Sequence, residues 1–285
     1  MIAFPGCKIN LGLRILNKRE DGFHNLTTFF YPLPLREAIE IIRNTDQGNK
    51  EAVCFSMSGN QVDGDIADNL CVKAYYLLKK DFPDLPAVKM HLHKAIPMGA
   101  GLGGGSADAA FTLKLLNEKF QLQLSTEQLI SYSLQLGSDC PFFIIDQPCN
   151  ATSRGEVLEP VNFSLSSYQL LLIHPGININ TGWAFSQLNF SSSVNTAYSA
   201  AKQKDIKTIL SQKPTTWKNE LVNDFEIPVF LKYPELKEIK DQLYRQGAVY
   251  AAMSGSGSTL FGLFEKNQHP NLYLPDHYYI KFLQL

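Results

Sequence analysis

Pro97-Met98-Gly99-Ala100-Gly101-Leu102-Gly103-Gly104-Gly105-Ser106-Ala107-Asp108-Ala109-Ala110 sets five glycines ahead of a segment whose apolar residues, Ala110, Phe111, Leu113 and Leu116, recur at helical spacing as far as Phe120. Before it, Val88, Met90 and Leu92 alternate as in a strand. The order is therefore strand, glycine loop, helix. Unpaired N–H groups at a helix start, aided by the positive end of the helix dipole, attract anions, and glycine lets the backbone approach a phosphate closely. Gly99, Gly101 and Gly104 also satisfy the dinucleotide-binding G-x-G-x-x-G pattern. That fold needs a second strand ending in an acidic residue roughly 20 positions on. Here a helix is announced instead, with Ser125, Glu127 and Gln128 as a capping signature and Gly137 as its stop. The Gly-Lys-Ser/Thr phosphate loop and the protein-kinase signatures are absent from the sequence. The glycine run reads as a phosphate cradle of another kind.

Working outward, Ile9, Leu11, Leu13 and Ile15 alternate with Lys8, Asn10, Gly12 and Arg14, the period of a half-buried strand. Asp21-Gly22 is a turn signal, and the apolar stretch Leu26 to Leu35 completes a hairpin with His24 at its tip. Asp139 lies in a short link between the helix ending at Gly137 and an apolar run, Pro141 to Ile145, expected to be a strand. Ser153-Arg154-Gly155 reads as a domain boundary, giving lobes of 1–153 and 154–285. Beyond it come a strand at Gln169 to His174, a largely helical stretch from Thr196 to Gln246, and strands at 248–253 and 259–264 joined by the Ser254 to Ser258 loop.

The 285 residues, 45% of them hydrophobic, bury a sizeable core in one large domain or two modest ones. A net charge of −1, from 26 basic and 27 acidic residues, gives no global field for nucleic acid or an anionic membrane. Five cysteines, an odd number without a C-x-x-C pair, suit buried thiols in a reducing compartment. No apolar run approaches the ~20 residues of a membrane helix, and the opening residues lack a signal-peptide pattern, so a cytoplasmic protein is expected. His91 and His93 share a strand face and His174 stands elsewhere, each without a third ligand in the pattern, so no protein-held metal is expected.

The segment 97–110 resembles the ATP-phosphate loop of the galactokinase, homoserine kinase, mevalonate kinase and phosphomevalonate kinase (GHMP) superfamily. Lys8-Ile9-Asn10-Leu11, Asp21-Gly22-Phe23-His24, Leu136-Gly137-Ser138-Asp139-Cys140-Pro141, Asn223-Asp224-Phe225-Glu226 and Met253-Ser254-Gly255-Ser256-Gly257-Ser258 narrow the resemblance, in order along nearly the whole chain. They are similar to the 4-diphosphocytidyl-2-C-methyl-D-erythritol kinases of the non-mevalonate isoprenoid route. The resemblance implies an α+β, two-lobed fold with an N-terminal α/β lobe carrying the ATP loop, a C-terminal α/β sandwich lobe, and the active site in the cleft between them. It implies phosphorylation of the substrate's 2-hydroxyl by ATP with Mg²⁺, which would arrive with the nucleotide. Two alternatives stay open: another superfamily kinase of the homoserine or mevalonate type, and a catalytically silent ATP-binding sensor. Retention of both Lys8 and Asp139 disfavours the sensor.

Phosphoryl transfer to an alcohol demands positioning and charge neutralisation. On residue type alone Asp139 is a turn residue and Lys8 a solvated charge. The resemblance makes Asp139 the carboxylate that accepts or orients the hydroxyl proton and Lys8 its cationic partner, with Asn10 beside it on the strand face. Pro97 to Gly105 and Ser106 would hold the triphosphate, and Asn69 and Lys94 the adenine. Phe23 and His24 resemble the aromatic and histidine pair that holds cytosine, with Phe185 offering the opposite stacking face. One common form of the family has tyrosine at the Phe23 position, so any phenol hydrogen bond is lost here. Ser254 and Gly255 are expected to close over phosphates or substrate.

Overall fold

A computed structural model describes residues 1–46, 51–60, 64–188, 204–268 and 270–285. The chain forms two compact units. The first comprises Met1–Cys7, Leu35–Met98 and Gly103–Gln147; the second comprises Lys8–Pro34, Gly99–Leu102 and Pro148–Leu285.

In the first unit the alternation at 88–94 becomes strand Val88–Lys94, with Val88, Met90, Leu92 and Lys94 buried and Lys89 and His93 exposed. It pairs antiparallel with Ala38–Arg43 and parallel with Val53–Gly59, and the short strand Ile2–Ala3 completes the sheet beyond Ala38–Arg43. Ala and Leu positions bury helix Gly104–Phe120 against helices Leu70–Asp81, Thr126–Leu136 and Cys140–Ile145. The expected capping box forms: Gln128 N–H donates to Ser125 Oγ at 3.3 Å and Ser125 N–H to Gln128 Oε1 at 2.9 Å. Gly137 closes that helix, its N–H donating to Ser133. The apolar run after Asp139 is a helix, Cys140–Ile145, and not the expected strand. A short continuous apolar run has no periodicity to separate the two, and Pro141, with φ preset and no N–H to lose, opens a helix without cost.

The second unit holds two sheets. In one, the hairpin of Cys7–Lys18 and His24–Leu33 continues through Cys149–Ser153 to Val157–Pro160. In the other, Tyr250–Met253, Leu260–Glu265, Tyr168–His174 and Tyr279–Gln284 are antiparallel neighbours in that order. Helix Pro234–Arg245 buries Leu236, Ile239 and Leu243 in the core shared with Met253, Leu260 and Phe264. Of the helical stretch expected from Thr196 to Gln246, residues 196–203 lie outside the described residues.

Two expectations change. The first strand is buried on both faces from Cys7 to Ile15, so its polar side is as enclosed as its apolar side. The Ser153-Arg154-Gly155 segment, expected as a lobe boundary, is the tight turn between two paired strands of one sheet, with Gly155 N–H donating to Thr152 O at 3.0 Å. A Ser/Gly cluster signals a hairpin turn and a linker alike, and pairing across the turn decides between them. The opening hairpin accordingly groups with the C-terminal strands.

Candidate active site

Lys8 lies on the inward polar side of the first strand and is 3% exposed. Its ammonium donates to Asn10 Oδ1 at 2.6 Å and to Gly101 O at 3.3 Å, and stands 4.9 Å from the centre of the Phe30 ring. Asn10 Nδ2 in turn donates to Thr28 Oγ1 at 2.9 Å, and Thr28 to Gly12 O. A cation built into a strand interior in this way has its rotamer fixed by charge-assisted and neutral hydrogen bonds together.

The same residues hold the first half of the glycine run. Lys8 N–H donates to Leu102 O at 2.9 Å, Thr259 N–H to Ala100 O at 3.2 Å and Ser254 Oγ to Gly101 O at 2.9 Å. Gly101 is in the left-handed region at φ 79, and a Cβ there would stand 2.0 Å from Ser254 O. Asn10 N–H also reaches Ser254 Oγ, at 3.3 Å. Asn10 and Ser254, expected at the substrate, are thus buried supports of Lys8 and of the loop. Gly255 belongs to the same support: its carbonyl, with that of Met253, accepts from Asn223 Nδ2 at 2.8 and 2.7 Å. Thr28 lies in no chemistry-bearing pattern of the sequence, and Asn223 falls in the motif 223–226 without a role assigned to it there; both satisfy groups brought together by folding.

In the first unit, helix Gly104–Phe120 begins after Gly103, a left-handed residue at φ 72 without a capping side chain. Gly103 has no side chain to cap the first N–H groups, the condition of an anion site at a helix start. Beneath Gly104 lies a cluster that the sequence did not single out. Lys94 Nζ donates to Glu37 Oε1 at 2.5 Å and to Asp108 Oδ2 at 2.8 Å, all three side chains being almost wholly buried. Glu37 Oε2 accepts from Ala95 and Ile96 N–H at 2.9 and 3.2 Å. The cluster thereby ties the residues entering the glycine run to the helix leaving it. A Cβ on Gly104 would come 3.2 Å from Glu37 Oε1. Burial, partly offset by Lys94, raises the Asp108 carboxyl to about 7, and its Oδ1 has no hydrogen-bond partner among the described residues. The two carboxylates hold the Lys94 ammonium above its ordinary value despite burial.

Asn69, Lys94, Met98 and Gly105 line one cavity of about 150 Å³ with Phe55 and Leu92 among its walls. At the ~30 Å³ a water occupies in the liquid it has room for one flat heterocycle, with apolar walls and few polar groups. Asn69 Oδ1 caps helix Leu70–Asp81 by accepting from Cys71 N–H at 2.9 Å, and its Nδ2 donates to Met57 Sδ at 3.8 Å, a weak acceptor that a ligand would displace. Lys94 reaches the cavity with two of its three ammonium donors already given to carboxylates. A larger open groove, about 560 Å³ between Asp81–Pro86 and Lys119–Leu122, contains none of the candidate residues.

Asp139 occupies the link between helices Thr126–Leu136 and Cys140–Ile145, in helical conformation at φ −83 and partly exposed. The following Cys140 is buried and hydrogen-bonded with Ser106, and burial pushes its thiol up to about 12. That bond ties the start of the glycine-loop helix to the residue next to Asp139. Lys8 belongs to the second unit and Asp139 to the first.

At the hairpin tip Phe23 is 50% exposed and the Arg154 guanidinium lies 4.6 Å from its ring centre. His24 stacks on Phe185, centroids 4.5 Å apart at 12°, and Phe185 meets Phe225 edge-on at 4.9 Å. Burial, with Lys18 nearby, lowers the His24 pKa, so the imidazole is neutral at pH 7. One face of Phe185, expected to stack on a base, is met here by the His24 imidazole.

Comparison with known proteins adds the decisive observation. The family of GHMP kinases N terminal domains matches residues 69–147, and that of GHMP kinases C terminal domains matches residues 197–273. The 4-diphosphocytidyl-2-C-methyl-D-erythritol kinase of Bacteroides fragilis is 49% identical over 268 residues, spanning 94% of this chain and 93% of the relative. The chain belongs to the 4-diphosphocytidyl-2-C-methyl-D-erythritol kinase family. A family member from Solidesulfovibrio magneticus is 36% identical, covering 94% of this chain and 90% of its own. A crystal structure of 4-(cytidine 5'-diphospho)-2C-methyl-D-erythritol kinase superposes with a TM-score of 0.75 at 28% identity, covering 92% of this chain and 90% of that one. Homoserine kinase from Cytophaga hutchinsonii shares the fold, with a TM-score of 0.65 at 14% identity and coverage of 93% and 85%. The two-lobed α+β kinase fold and the assignment as a small-molecule kinase follow from this membership.

Proposed function

We propose that the chain transfers the γ-phosphoryl group of ATP to the 2-hydroxyl of 4-diphosphocytidyl-2-C-methyl-D-erythritol, giving the 2-phosphate and ADP. The observation that carries this reading is Lys8, a buried lysine fixed by Asn10 and the Gly101 carbonyl, in a chain nearly half identical to kinases of that name. A solvated lysine has no need of such a mount.

In this reading the glycine backbone and the N-terminus of helix Gly104–Phe120 bind the triphosphate. The 150 Å³ cavity takes the adenine, with Asn69 Nδ2 as its polar contact. Asp139 accepts the proton of the attacking hydroxyl or holds that hydroxyl in line, and Lys8 balances the negative charge that spreads over the phosphoryl oxygens in a loose transition state. Phe23 and neutral His24 receive the cytosine. Mg²⁺ bound to a triphosphate needs one or two protein oxygens and no protein cage. Ser106 and Asp139 would offer such oxygens, near the glycine-loop helix. Five cysteines without a C-x-x-C pair suit the reducing cytoplasm as the place of reaction.

An ADP-release assay with the cytidyl alcohol, homoserine and mevalonate as parallel acceptors tests the reading. Turnover is expected with the first, and Asp139→Asn is expected to lower kcat by roughly 10²–10⁴-fold, the range for a positioned acid or base. Undiminished turnover in that variant sinks the role of Asp139, and turnover with homoserine or mevalonate alone sinks the substrate assignment.

A further inference from the structure

Phe23 carries no polar atom, so nothing in the side chain itself fixes how its ring turns. The structure supplies that restraint from the neighbouring strand turn. The Arg154 guanidinium covers one face of the ring, 4.6 Å from its centre. Arg154 Nε donates to Glu156 Oε1 at 3.4 Å, its backbone N–H to Glu156 Oε2 at 2.6 Å, and Ser153 Oγ donates to Glu156 Oε1 at 2.9 Å. Ser153 Oγ also accepts from Arg19 Nη1 at 3.0 Å.

Arg19 leads back to Phe23. Its Nε and Nη2 hold the Asp21 carboxylate at 2.8–3.1 Å, its backbone N–H donates to Phe23 O at 2.8 Å, and Phe23 N–H donates to Asp21 Oδ1 at 3.1 Å. Ring and cation are therefore two ends of one closed circuit running Phe23, Asp21, Arg19, Ser153, Glu156 and Arg154. The partners hold the Asp21 and Glu156 carboxyls below their usual range, so the circuit stays charged at neutral pH.

From this circuit we infer that Arg154 is a positioning residue for the acceptor's nucleobase: it occupies one face of Phe23, fixes the ring, and leaves the other face as the platform on which the base stacks. The inference rests on the cytidyl alcohol being the acceptor. Preorganisation of this kind lowers the cost of binding without touching the reacting atoms. Its signature belongs in the acceptor's KM, with kcat and the KM for ATP little changed.

The test compares wild type with Arg154→Gln, which keeps a donor for Glu156 but removes the cation, and Arg154→Lys, which keeps the cation. Initial rates are measured against both substrates, and thermal melting confirms that each variant is folded. Arg154→Gln is expected to raise the acceptor KM about five- to thirtyfold, the span of a cation–aromatic contact between exposed and desolvated settings. Arg154→Lys should recover most of that loss. An unchanged acceptor KM in a folded Arg154→Gln, a rise shared equally by ATP, or a Lys variant no better than Gln overturns the inference while the proposed function stands. A wild-type enzyme that does not use the cytidyl alcohol overturns both.

Discussion

Asp108 shows how a single buried carboxyl shapes the floor of the cavity lined by Asn69 and Lys94. One ammonium, Lys94, serves two buried carboxylates, and the Asp108 oxygen left over has no partner among the described residues. Its folded-state pKa of about 7 stands above the ordinary value of 3.8 given by an unfolded chain. The folded state therefore binds the proton more tightly. The stability this adds is complete below about 3.8 and is lost as the pH rises through about 7. Asp108→Asn removes that titration. The melting temperature of the variant relative to wild type should rise from pH 4 to pH 7 and level off above, as measured by calorimetry across that range. A difference that is flat with pH would show that Asp108 stays ionised throughout. Lys8 teaches the complementary lesson: residue type and strand position mark it as a surface charge, and its burial against Asn10 and Gly101 is what makes it a candidate for chemistry.

At the scale of the element, the glycine run is not one uniform flexible stretch. Gly101 is required by shape, because its φ is positive and a Cβ would stand 2.0 Å from the Ser254 carbonyl. Gly105 is helical and has ordinary contacts, 3.8 Å and beyond, around its missing side chain. The two should respond differently to alanine. Gly101→Ala is expected to melt well below wild type, by more than about 3 kcal/mol of stability, since strain and a backbone clash act together. Gly105→Ala should melt at or above wild type, gaining up to about 1 kcal/mol from helix propensity, while its KM for ATP rises because a methyl group stands where a phosphate approaches. Equal melting and unchanged nucleotide affinity in both variants would remove the glycine run from the site. The helix that follows Asp139 carries the opposite message about legibility. Pro141 to Ile145 is apolar without a period, and only its packing shows it to be a helix.

Across the whole molecule, the chain passes between its two units at Cys7/Lys8, Pro34/Leu35, Met98/Gly99, Leu102/Gly103 and Gln147/Pro148. A fragment ending at residue 153 would therefore lose the strand Val157–Pro160 from its sheet, and the Ser254 and Thr259 contacts from the loop 99–102. It is expected to be unfolded or molten by near-ultraviolet circular dichroism, whereas a cut between two self-contained lobes would leave a folded fragment. What the sequence determined unaided was local and chemical: the strand, glycine loop and helix order, the capped helix at Ser125, the DG turn, and the ordered motifs that mark a cytidyl-alcohol kinase. These rest on short-range rules of period, capping and backbone freedom, which act within a few residues. Tertiary structure decided what depends on partners distant in sequence. It turned Asn10 and Ser254 into supports for Lys8, paired Lys94 with Glu37 and Asp108, laid Arg154 over Phe23 and put His24 on Phe185. Burial and charge pairing are properties of the folded surroundings, and no window of sequence contains them.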